Sequence, residues 1–366
     1  MLADMSASPE GGRPPTPPGP TTSGSVTPPA TTPRDGPGAR LPSGRRGVLL
    51  RGVLRVLARD ETVVIAVLLV LVFVVGLAHP EFLRRGNLLS TAHNAVYVGL
   101  MACGMVFPLA MREVDLSVGG LFAMGVVTGA VLITHGMNPW LAVVVILVMS
   151  LALGAVNGAV TTVMRLPSFI VTLATSMLFR GIGLALADGK QVGGLPAEHA
   201  LFVRVGGDLL GVPTAVWVFA VAVVVLTVVL TRGRFGARVR AIGSNPEAAE
   251  FTGLPMTRTR IAALALSGLM AGVAAVMALS FFTAGDPTIG QGYELTAIAA
   301  CIIGGTPLSG GRGSVIGAAA GTLIFNVVAS ALVFFEVPIN WTTFAAGAVI
   351  LIAVAAGSTV RRLRGG

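Results

Sequence analysis

The chain has 366 residues, of which 54% are hydrophobic and 11% are charged, and its mean hydropathy is +0.85. This composition excludes a soluble globular fold and favours a membrane protein with many spans. Because charges are so scarce, the position of the cations along the chain matters more than the formal net charge of +9, and a nucleic-acid partner is not expected. Cys103 and Cys301 both lie in apolar stretches, which excludes a disulfide framework and a CxxC metal site.

The N-terminal region differs in composition from the rest of the chain. Residues 1–44 contain 11 Pro, 7 Gly, 6 Thr and 5 Ser, and such a segment cannot bury enough apolar surface to offset its ordering entropy. We expect a disordered cytoplasmic tail. Residues 45–61 place Arg51, Arg55 and Arg59 on one helical face among Val and Leu, which predicts a basic helix on the membrane surface.

Apolar stretches follow one another from residue 62 to residue 356, and this region is predicted to be the transmembrane domain. A span needs about 20 apolar residues to cross about 30 Å of hydrocarbon. Ten candidates are present, at 62–79, 94–111, 116–135, 140–160, 168–188, 214–231, 261–281, 295–306, 314–335 and 341–356. The eighth is too short to cross alone, so we expect a broken half-helix or a continuation through polar flanking residues.

The distribution of basic residues predicts the orientation of these spans. With the N-terminus inside, 20 of the 25 Lys and Arg residues fall on cytoplasmic segments and four fall outside. The positive-inside rule therefore favours an N-in, C-in protein with an even number of crossings. In this topology residues 232–260 form a cytoplasmic loop and residues 357–366 form a basic cytoplasmic tail.

Glycines recur every four residues in several spans, and the series Gly313, Gly317 and Gly321 is one example. Glycines at this spacing allow two helix backbones to approach closely. We predict that they pack helices together. The alternative is that they serve as hinges for alternating access.

Catalytic and metal-binding patterns are missing from the sequence. None of the four histidines stands at metal-pair spacing to another. The nearest approach to a phosphate-binding loop runs from Gly183 to Lys190, but its spacing is wrong and Gln191 stands where Ser or Thr would bind magnesium. We therefore expect no catalytic residue, no metal, no cofactor and no ATP hydrolysis by this chain. So many spans make transport the expected activity.

Polar side chains inside or beside the spans mark a candidate translocation pathway, since an intramembrane charge costs about 2.5 to 3.5 kcal/mol on insertion. Asp115 is expected either to cap the helix that follows it or to take part in gating. Arg180 is expected either to snorkel to the outer interface or to line the pore. The candidate pathway residues are Asp115, Ser117, Thr172, Thr175, Ser176, Arg180 and Glu294.

The loop 232–260 contains six arginines and only two acidic residues. Asn245 and Pro246 are placed to begin a short helix at Glu247, and Gly253 is placed to end it. A short capped helix surrounded by arginines suits docking onto a cytoplasmic partner. The alternative is that the arginines only anchor the loop to the inner face of the membrane.

Four segments resemble sugar permeases of ABC importers. NPEAAEFTGLP (245–255) is similar to the EAA-type coupling segment of importer permeases. The stretch 283–324, TAGDPTIGQGYELTAIAACIIGGTPLSGGRGSVIGAAAGTLI, resembles the signature of the ribose, xylose and galactose permease family. EVDLSVGG (113–120) and NGAVTTVMRLPSFIVTLATSMLFRG (157–181) resemble the same family. The resemblance covers most of residues 62–356, in matching order.

This resemblance implies an all-α membrane protein of about ten helices with a fold like that of the cobalamin importer. The family's partners would be two ATPase domains on cytoplasmic subunits, an extracytoplasmic sugar-binding protein and a second permease, in a homodimer or a heterodimer. The resemblance also implies an ATPase-coupling role for Asn245, Pro246, Glu247, Ala248, Ala249 and Gly253.

The fifth candidate span carries a polar stripe, because Ser168, Thr172, Thr175, Ser176 and Arg180 fall on one helical face. Such a face is expected to contact water or another helix. Hydroxyl groups suit a neutral sugar, since they exchange its hydrogen bonds without the trapping that a strong charge would cause. The alternative is that each hydroxyl bonds to the backbone of its own helix.

The leading hypothesis is therefore the channel-forming subunit of an ABC importer in the cell membrane, which translocates a monosaccharide while partner subunits hydrolyse ATP. The rival is an ion-coupled secondary transporter, which needs a titratable or ion-binding group near mid-membrane. Glu294 is the residue placed to supply that group. A membrane scaffold without transport is disfavoured by the polar stripe.

Overall fold

The computed structural model describes residues 60–338 and, beyond them, only Trp341, Phe344, Gly347 and Ala348. All of these belong to one compact unit of the chain. The predicted tail 1–44, the predicted surface helix 45–61 except for its last two residues, most of the tenth candidate span and the C-terminal tail 357–366 lie outside the described residues.

The described part begins with two helices joined by a short turn. These are α1 (Asp60–Ala78), a 3₁₀ turn (Pro80–Leu83) and α2 (Arg85–Ala110). Helix α2 starts nine residues before the candidate span at 94–111, because polar residues such as Thr91 and His93 lower the hydropathy there although the bundle buries them. Pro108 lacks an N–H group and lies in the last turn of the helix.

Three further helices follow a non-helical link of residues 111–117. They are α3 (Val118–Thr134), α4 (Pro139–Val163) and α5 (Ser168–Leu186). Helix α4 begins where Asn138 accepts the N–H of Trp140 at 2.9 Å and where Pro139 occupies the first helical position. Pro167 restricts the residue before it to extended conformations, so it separates α4 from α5.

The connection between the fifth and the seventh helix contains short elements only. It holds α6 (Ala200–Val205) and an antiparallel pair of strands, β1 (Asp208–Leu209) and β2 (Val212–Pro213). Helix α7 (Thr214–Arg232) follows, and then α8 (Arg234–Ser244), α9 (Pro246–Phe251) and α10 (Met256–Phe282).

The eighth candidate span contains a short helix, as the length of its apolar run predicts. Helix α11 (Tyr293–Ile303) has 11 residues, about 16 Å at 1.5 Å per residue, which is near half of the hydrocarbon thickness. Residues 283–292 before it form turns rather than a helix, and Gly285 pairs with Val192 through two backbone hydrogen bonds of 2.8 Å. Helix α12 (Val315–Phe334) completes the described bundle.

Seven helices in the described part of the chain are long and apolar enough to cross a membrane, and α3 and α11 are shorter apolar helices. The bundle buries 89% of the most apolar window of α2 and 72% of that of α10, but only 17% of that of α1 and 22% of that of α7. The outer helices therefore expose large apolar side chains such as Leu69 and Val224. A lipid environment removes the cost of that exposure, and the chain is an all-α polytopic membrane protein.

Glycines allow the central helices to touch. A Cβ atom at Gly154 of α4 would overlap the backbone of Leu264 on α10, and one at Gly268 of α10 would overlap the backbone of Ser150 on α4. The two helices therefore pack backbone to backbone, as the four-residue spacing of glycines in these spans predicts.

Candidate coupling surface and translocation site

Helix α9 begins and ends at the residues expected from the sequence. Asn245 accepts the N–H of Ala248 at 3.0 Å, and Pro246 occupies the first helical position. Gly253 has a φ of +73°, the left-handed conformation with which glycine commonly ends a helix. The predicted local structure is thus confirmed.

The exposed side of α9 carries two acidic groups and one aromatic group. Glu247, Ala248 and Glu250 are exposed, whereas Ala249 is buried. Phe251 is 92% exposed. We call Glu247, Ala248, Glu250 and Phe251 the docking face. The sequence had not singled out Phe251, although it is the one large apolar residue between Asn245 and Gly253.

The non-helical link 111–117 contacts both ends of the segment that contains α9. Arg112 donates from Nε to the carbonyl oxygen of Gly243 at 2.7 Å and from Nη2 to that of Ser244 at 2.9 Å. The carboxylate of Glu113 lies 2.6 Å from Nε of Arg260. The Arg260 N–H lacks hydrogen-bond geometry in this contact, so we treat it as an ion pair.

Asp115 lies at the centre of a buried polar group. Its Oδ1 accepts the N–H of Ser117 at 3.0 Å and the hydroxyl of Ser117 at 2.6 Å. The amide of Asn157 on α4 donates to the Ser117 hydroxyl oxygen at 2.8 Å. All three side chains are fully buried. The bond to the Ser117 N–H closes a turn of residues 115–117 directly before α3.

The polar stripe of α5 holds the link in place. Ser168 accepts the N–H of Val114 at 3.0 Å, and Thr172 accepts the N–H of Leu116 at 3.0 Å. The Thr172 hydroxyl also lies 2.8 Å from the carbonyl oxygen of Ser168, one turn back in its own helix. The Thr172 hydroxyl therefore serves both the link and its own helix, whereas the Ser168 hydroxyl serves the link.

Thr175 and Ser176, which follow along the polar stripe, make contacts of a different kind. Thr175 donates to the carbonyl oxygen of Val171 at 3.0 Å, which is a bond within α5. Ser176 is buried, and its backbone lies so close to Gly120 of α3 that a Cβ atom there would overlap it. Neither hydroxyl reaches another segment within the described part of the protein.

Arg180 contacts the irregular segment before α11. Its Nη1 donates to the carbonyl oxygen of Ile289 at 3.4 Å, and its Nη2 donates to that of Gly290 at 3.3 Å. Arg180 lies 12 residues after Ser168, about 18 Å along α5. Non-helical carbonyl groups beside a membrane-spanning helix need hydrogen-bond donors, and the Arg180 guanidinium supplies them.

Glu294 lies in the first turn of α11, and its carboxyl group contacts Gly119 so closely that a Cβ atom there would overlap it. Its Oε2 is buried and has no hydrogen-bond partner among the described residues. The amino end of a helix stabilises a negative charge. Glu294 lies where the chain changes from turns to helix, and Arg180 on α5 contacts the turns just before it.

The region of the chain that contains these contacts matches a known family. Residues 87–354 match the family model described as branched-chain amino acid transport system / permease component. The chain belongs to this permease family. As a permease of an ABC importer, it is an integral protein of the cell membrane and works with ATPase and substrate-binding subunits.

Individual relatives of the permease are named for sugars. It is 36% identical to the ribose import permease protein RbsC of Bacillus subtilis, over 78% of this chain and 89% of the relative. It is 35% identical to the L-arabinose ABC transporter permease protein AraH of Azospirillum brasilense, over 80% and 85%. The xylose transport system permease protein XylH of Escherichia coli is 32% identical over 81% and 91%. No solved structure matches the permease.

The permease brings some of its predicted site residues together and keeps others apart. Asp115, Ser117 and Thr172 meet around the link, and Arg180 and Glu294 lie near the start of α11. The glycine series instead lies between helices: a Cβ atom at Gly317 would overlap Gly304, one at Gly321 would overlap Ala300, and one at Gly313 would approach Val106 to 2.8 Å.

Proposed function

We propose that this permease, as a homodimer, forms the transmembrane pathway of an ABC importer that brings a monosaccharide into the cytoplasm. The observation that carries the proposal is the 36% identity to a ribose import permease over 89% of that relative. The family description names branched-chain amino acids, but the ribose, arabinose and xylose relatives match over most of their own lengths. A pentose is therefore the first substrate to test.

The proposed energy source is ATP hydrolysis on partner subunits that bind the docking face of α9. Asn245, Pro246 and Gly253 fix the ends of this helix, and the buried Ala249 fixes its orientation on the bundle. Glu247, Ala248, Glu250 and Phe251 are then left available to a partner. The chain itself supplies no ATPase chemistry in this proposal.

The proposed topology has ten spans, with both termini in the cytoplasm, and a fold like that of the cobalamin importer. The arginine-rich segment 232–260 supports it, because basic loops stay inside. Cysteine labelling tests this orientation. Phe251→Cys should react with an impermeant maleimide only from the cytoplasmic side, and Lys190→Cys only from the outside. Cys103 and Cys301 are fully buried, so the native chain supplies the unlabelled control.

The sugar is proposed to pass beside α5 and the break before α11. Hydroxyl and backbone carbonyl groups can exchange hydrogen bonds with a neutral sugar at little net cost. The proposed pathway residues are those predicted from the sequence, namely Asp115, Ser117, Thr172, Thr175, Ser176, Arg180 and Glu294. Asp115, Ser117 and Thr172 are fully buried in the present state, so they would have to become accessible during the transport cycle.

Uptake by the reconstituted importer tests the whole proposal. The permease is assembled in liposomes with its ATPase and sugar-binding subunits, and uptake of ribose, arabinose, xylose and leucine is measured. Sugar uptake that disappears with a hydrolysis-defective ATPase supports the proposal. Uptake by the permease alone that an uncoupler abolishes contradicts it and favours the ion-coupled alternative, in which Glu294→Gln should also abolish uptake. Uptake of leucine without uptake of any of the three sugars would change the proposed substrate from a monosaccharide to a branched-chain amino acid.

A further inference from the structure

Two neighbouring residues, Arg112 and Glu113, contact the chain on both sides of α9. Arg112 binds the last two carbonyl groups of α8, directly before Asn245. Glu113 pairs with Arg260 in the second turn of α10, seven residues after Gly253. The two ends of the α9 segment are therefore both attached to the same short piece of backbone.

The attachment at Arg112 is tightly constrained. Arg112 has a φ of +67°, a left-handed conformation that is unfavourable for a residue with a Cβ atom. Its own N–H bonds to the Leu109 carbonyl oxygen at 2.9 Å, and its guanidinium makes the two bonds to α8. The side-chain bonds also meet the carboxyl end of a helix, where a positive charge is stabilised.

A third piece of chain closes this contact. The N–H of Gly311, between α11 and α12, donates to the Ala110 carbonyl oxygen at 2.9 Å. A Cβ atom at Gly243 would overlap both Ala110 and Gly311, and one at Gly310 would approach the Arg112 side chain to 2.5 Å. The end of α2, the end of α8 and the loop before α12 therefore meet without room for larger residues.

From Arg112 the link continues into the bundle with a contact at almost every step. Val114 and Leu116 donate to hydroxyls of α5, and Ser117 accepts from Asn157 of α4. Two residues later, Gly119 lies against the carboxyl group of Glu294. One continuous stretch of eight residues thus connects the α9 segment to the beginning of α11.

We infer that Arg112 and Glu113 are positioning residues through which movement of α9 is transmitted along residues 112–119 to the break before α11. This inference rests on the proposed ATP-driven function. We call the two residues and their contacts with Gly243, Ser244 and Arg260 the coupling joint. When ATPase subunits displace α9, the coupling joint moves the link, and the link shifts Gly119 relative to Glu294.

The ion pair of the coupling joint is tested by charge exchange. Glu113→Arg and Arg260→Glu are each expected to lower sugar uptake per assembled complex by at least about fivefold, the lower end of the range for coupling between sites. The double variant restores the opposite charges and should recover at least about half of wild-type uptake. Failure of the double variant to recover, while both single variants are impaired, would overturn the role of the pair.

The Arg112 contact is tested with two substitutions of different geometry. Arg112→Gln removes both bonds to α8, whereas Arg112→Lys keeps the charge but not the two-pronged geometry. Uptake should fall by at least about fivefold in the first and by less in the second. Sugar-dependent stimulation of ATP hydrolysis should fall together with uptake. The rate of ATP hydrolysis without sugar and the yield of the assembled complex should stay unchanged.

A matched control separates this inference from a general loss of positive charge. Arg258 is exposed and makes no ion pair within the described part of the chain, so Arg258→Gln should retain uptake within about twofold of wild type. Normal uptake and normal sugar-stimulated hydrolysis in Glu113→Gln and Arg112→Gln would overturn the coupling joint. Wild-type uptake that does not require ATP hydrolysis would instead overturn the proposed function itself.

Discussion

The carboxyl group of Glu294 occupies the space where a Cβ atom at residue 119 would lie, and there the first turn of α11 meets the first turn of α3. A residue larger than glycine fits at position 119 only if the Glu294 side chain moves. The contact joins the link from the α9 segment to the broken helix, so it lies between the two proposed functional regions of the protein.

Replacement of Gly119 by alanine should disturb this contact. The new methyl group would overlap the Glu294 carboxylate, so the flexible end of that side chain must turn away from α3. Gly119→Ala is therefore expected to reduce sugar uptake and to lower the Tm in detergent by a small amount. Gly181→Ala on α5, which faces open space, is the matched control and should leave both unchanged.

The double variant Gly119→Ala, Glu294→Ala examines the cause of that loss. Removal of the carboxylate makes room for the methyl group, so the Tm should return towards the wild-type value. A Gly119→Ala protein with wild-type Tm, or a double variant less stable than either single variant, would contradict the contact.

Gly253→Ala should weaken ATP coupling through the backbone alone. No atom lies close enough to meet the added Cβ, but the left-handed φ of +73° costs alanine about 1 to 2 kcal/mol. The end of α9 is therefore destabilised, and sugar-stimulated ATP hydrolysis should fall while membrane insertion stays normal. Gly86→Ala, in open space with no left-handed φ, is the control. Equal activity of the two variants would remove Gly253 from the coupling surface.

Phe251→Ala should weaken binding of the ATPase subunit. An exposed aromatic side chain at the end of a short helix is the kind of residue that supplies much of the binding energy at an interface. We expect the Kd for the purified ATPase to rise about tenfold or more with an unchanged Tm, since Phe251 contributes little to the core. Leu210→Ala, at a residue that is 84% exposed in the turn between β1 and β2, should leave the Kd unaltered. A Phe251→Ala protein with wild-type affinity would show that the docking face lies elsewhere.

Glu247→Ala changes the charge of the docking face without changing the core. Glu247 is exposed, so the variant should insert and fold normally, while sugar uptake and its coupling to ATP hydrolysis both fall. The measurement is the number of sugar molecules transported for each ATP hydrolysed. An unchanged ratio with normal uptake would exclude Glu247 from coupling.

Thr172 and Ser176, one turn apart on α5, should respond differently to loss of their hydroxyls. Thr172→Val leaves the Leu116 N–H without its acceptor, at a cost of about 1 to 3 kcal/mol, so the Tm should fall. Ser176→Ala breaks no side-chain hydrogen bond within the described residues, so its Tm should stay constant. Loss of uptake in Ser176→Ala would then indicate contact with the sugar, and wild-type uptake would assign Ser176 to packing. Thr172→Ser, which keeps the acceptor, should retain the wild-type Tm.

Local signals in the sequence were sufficient for part of this structure. The short helix at Pro246 was predictable because Asn245 and Pro246 begin helices and Gly253 ends them, and all three effects act over a few residues. The short eighth span was predictable from the length of its apolar run. Long-range contacts left no such signal: nothing near Arg180 indicates that its partners are carbonyl groups more than 100 residues away.

Two further features of the site escaped prediction for physical reasons. The polar stripe of α5 predicted a face that contacts water or a helix. The hydroxyls of Ser168 and Thr172 instead bind the non-helical link, whose position hydropathy cannot predict. The sequence did not single out Arg112, and it showed Glu113 only as the first residue of the segment EVDLSVGG. Their contacts depend on how α8 and α10 return to the end of α2, which is a property of the folded chain.

The break before α11 also affects hydrogen exchange. Residues 283–292 form turns, and the N–H of Ile289 bonds only to the Asp286 carbonyl oxygen, at 3.3 Å, whereas amides within α5 and α10 belong to continuous helices. Amides with such short-range bonding take up deuterium whenever neighbouring helices separate and admit solvent. Deuterium uptake at this segment, read by mass spectrometry, should therefore be faster during transport than in the resting protein.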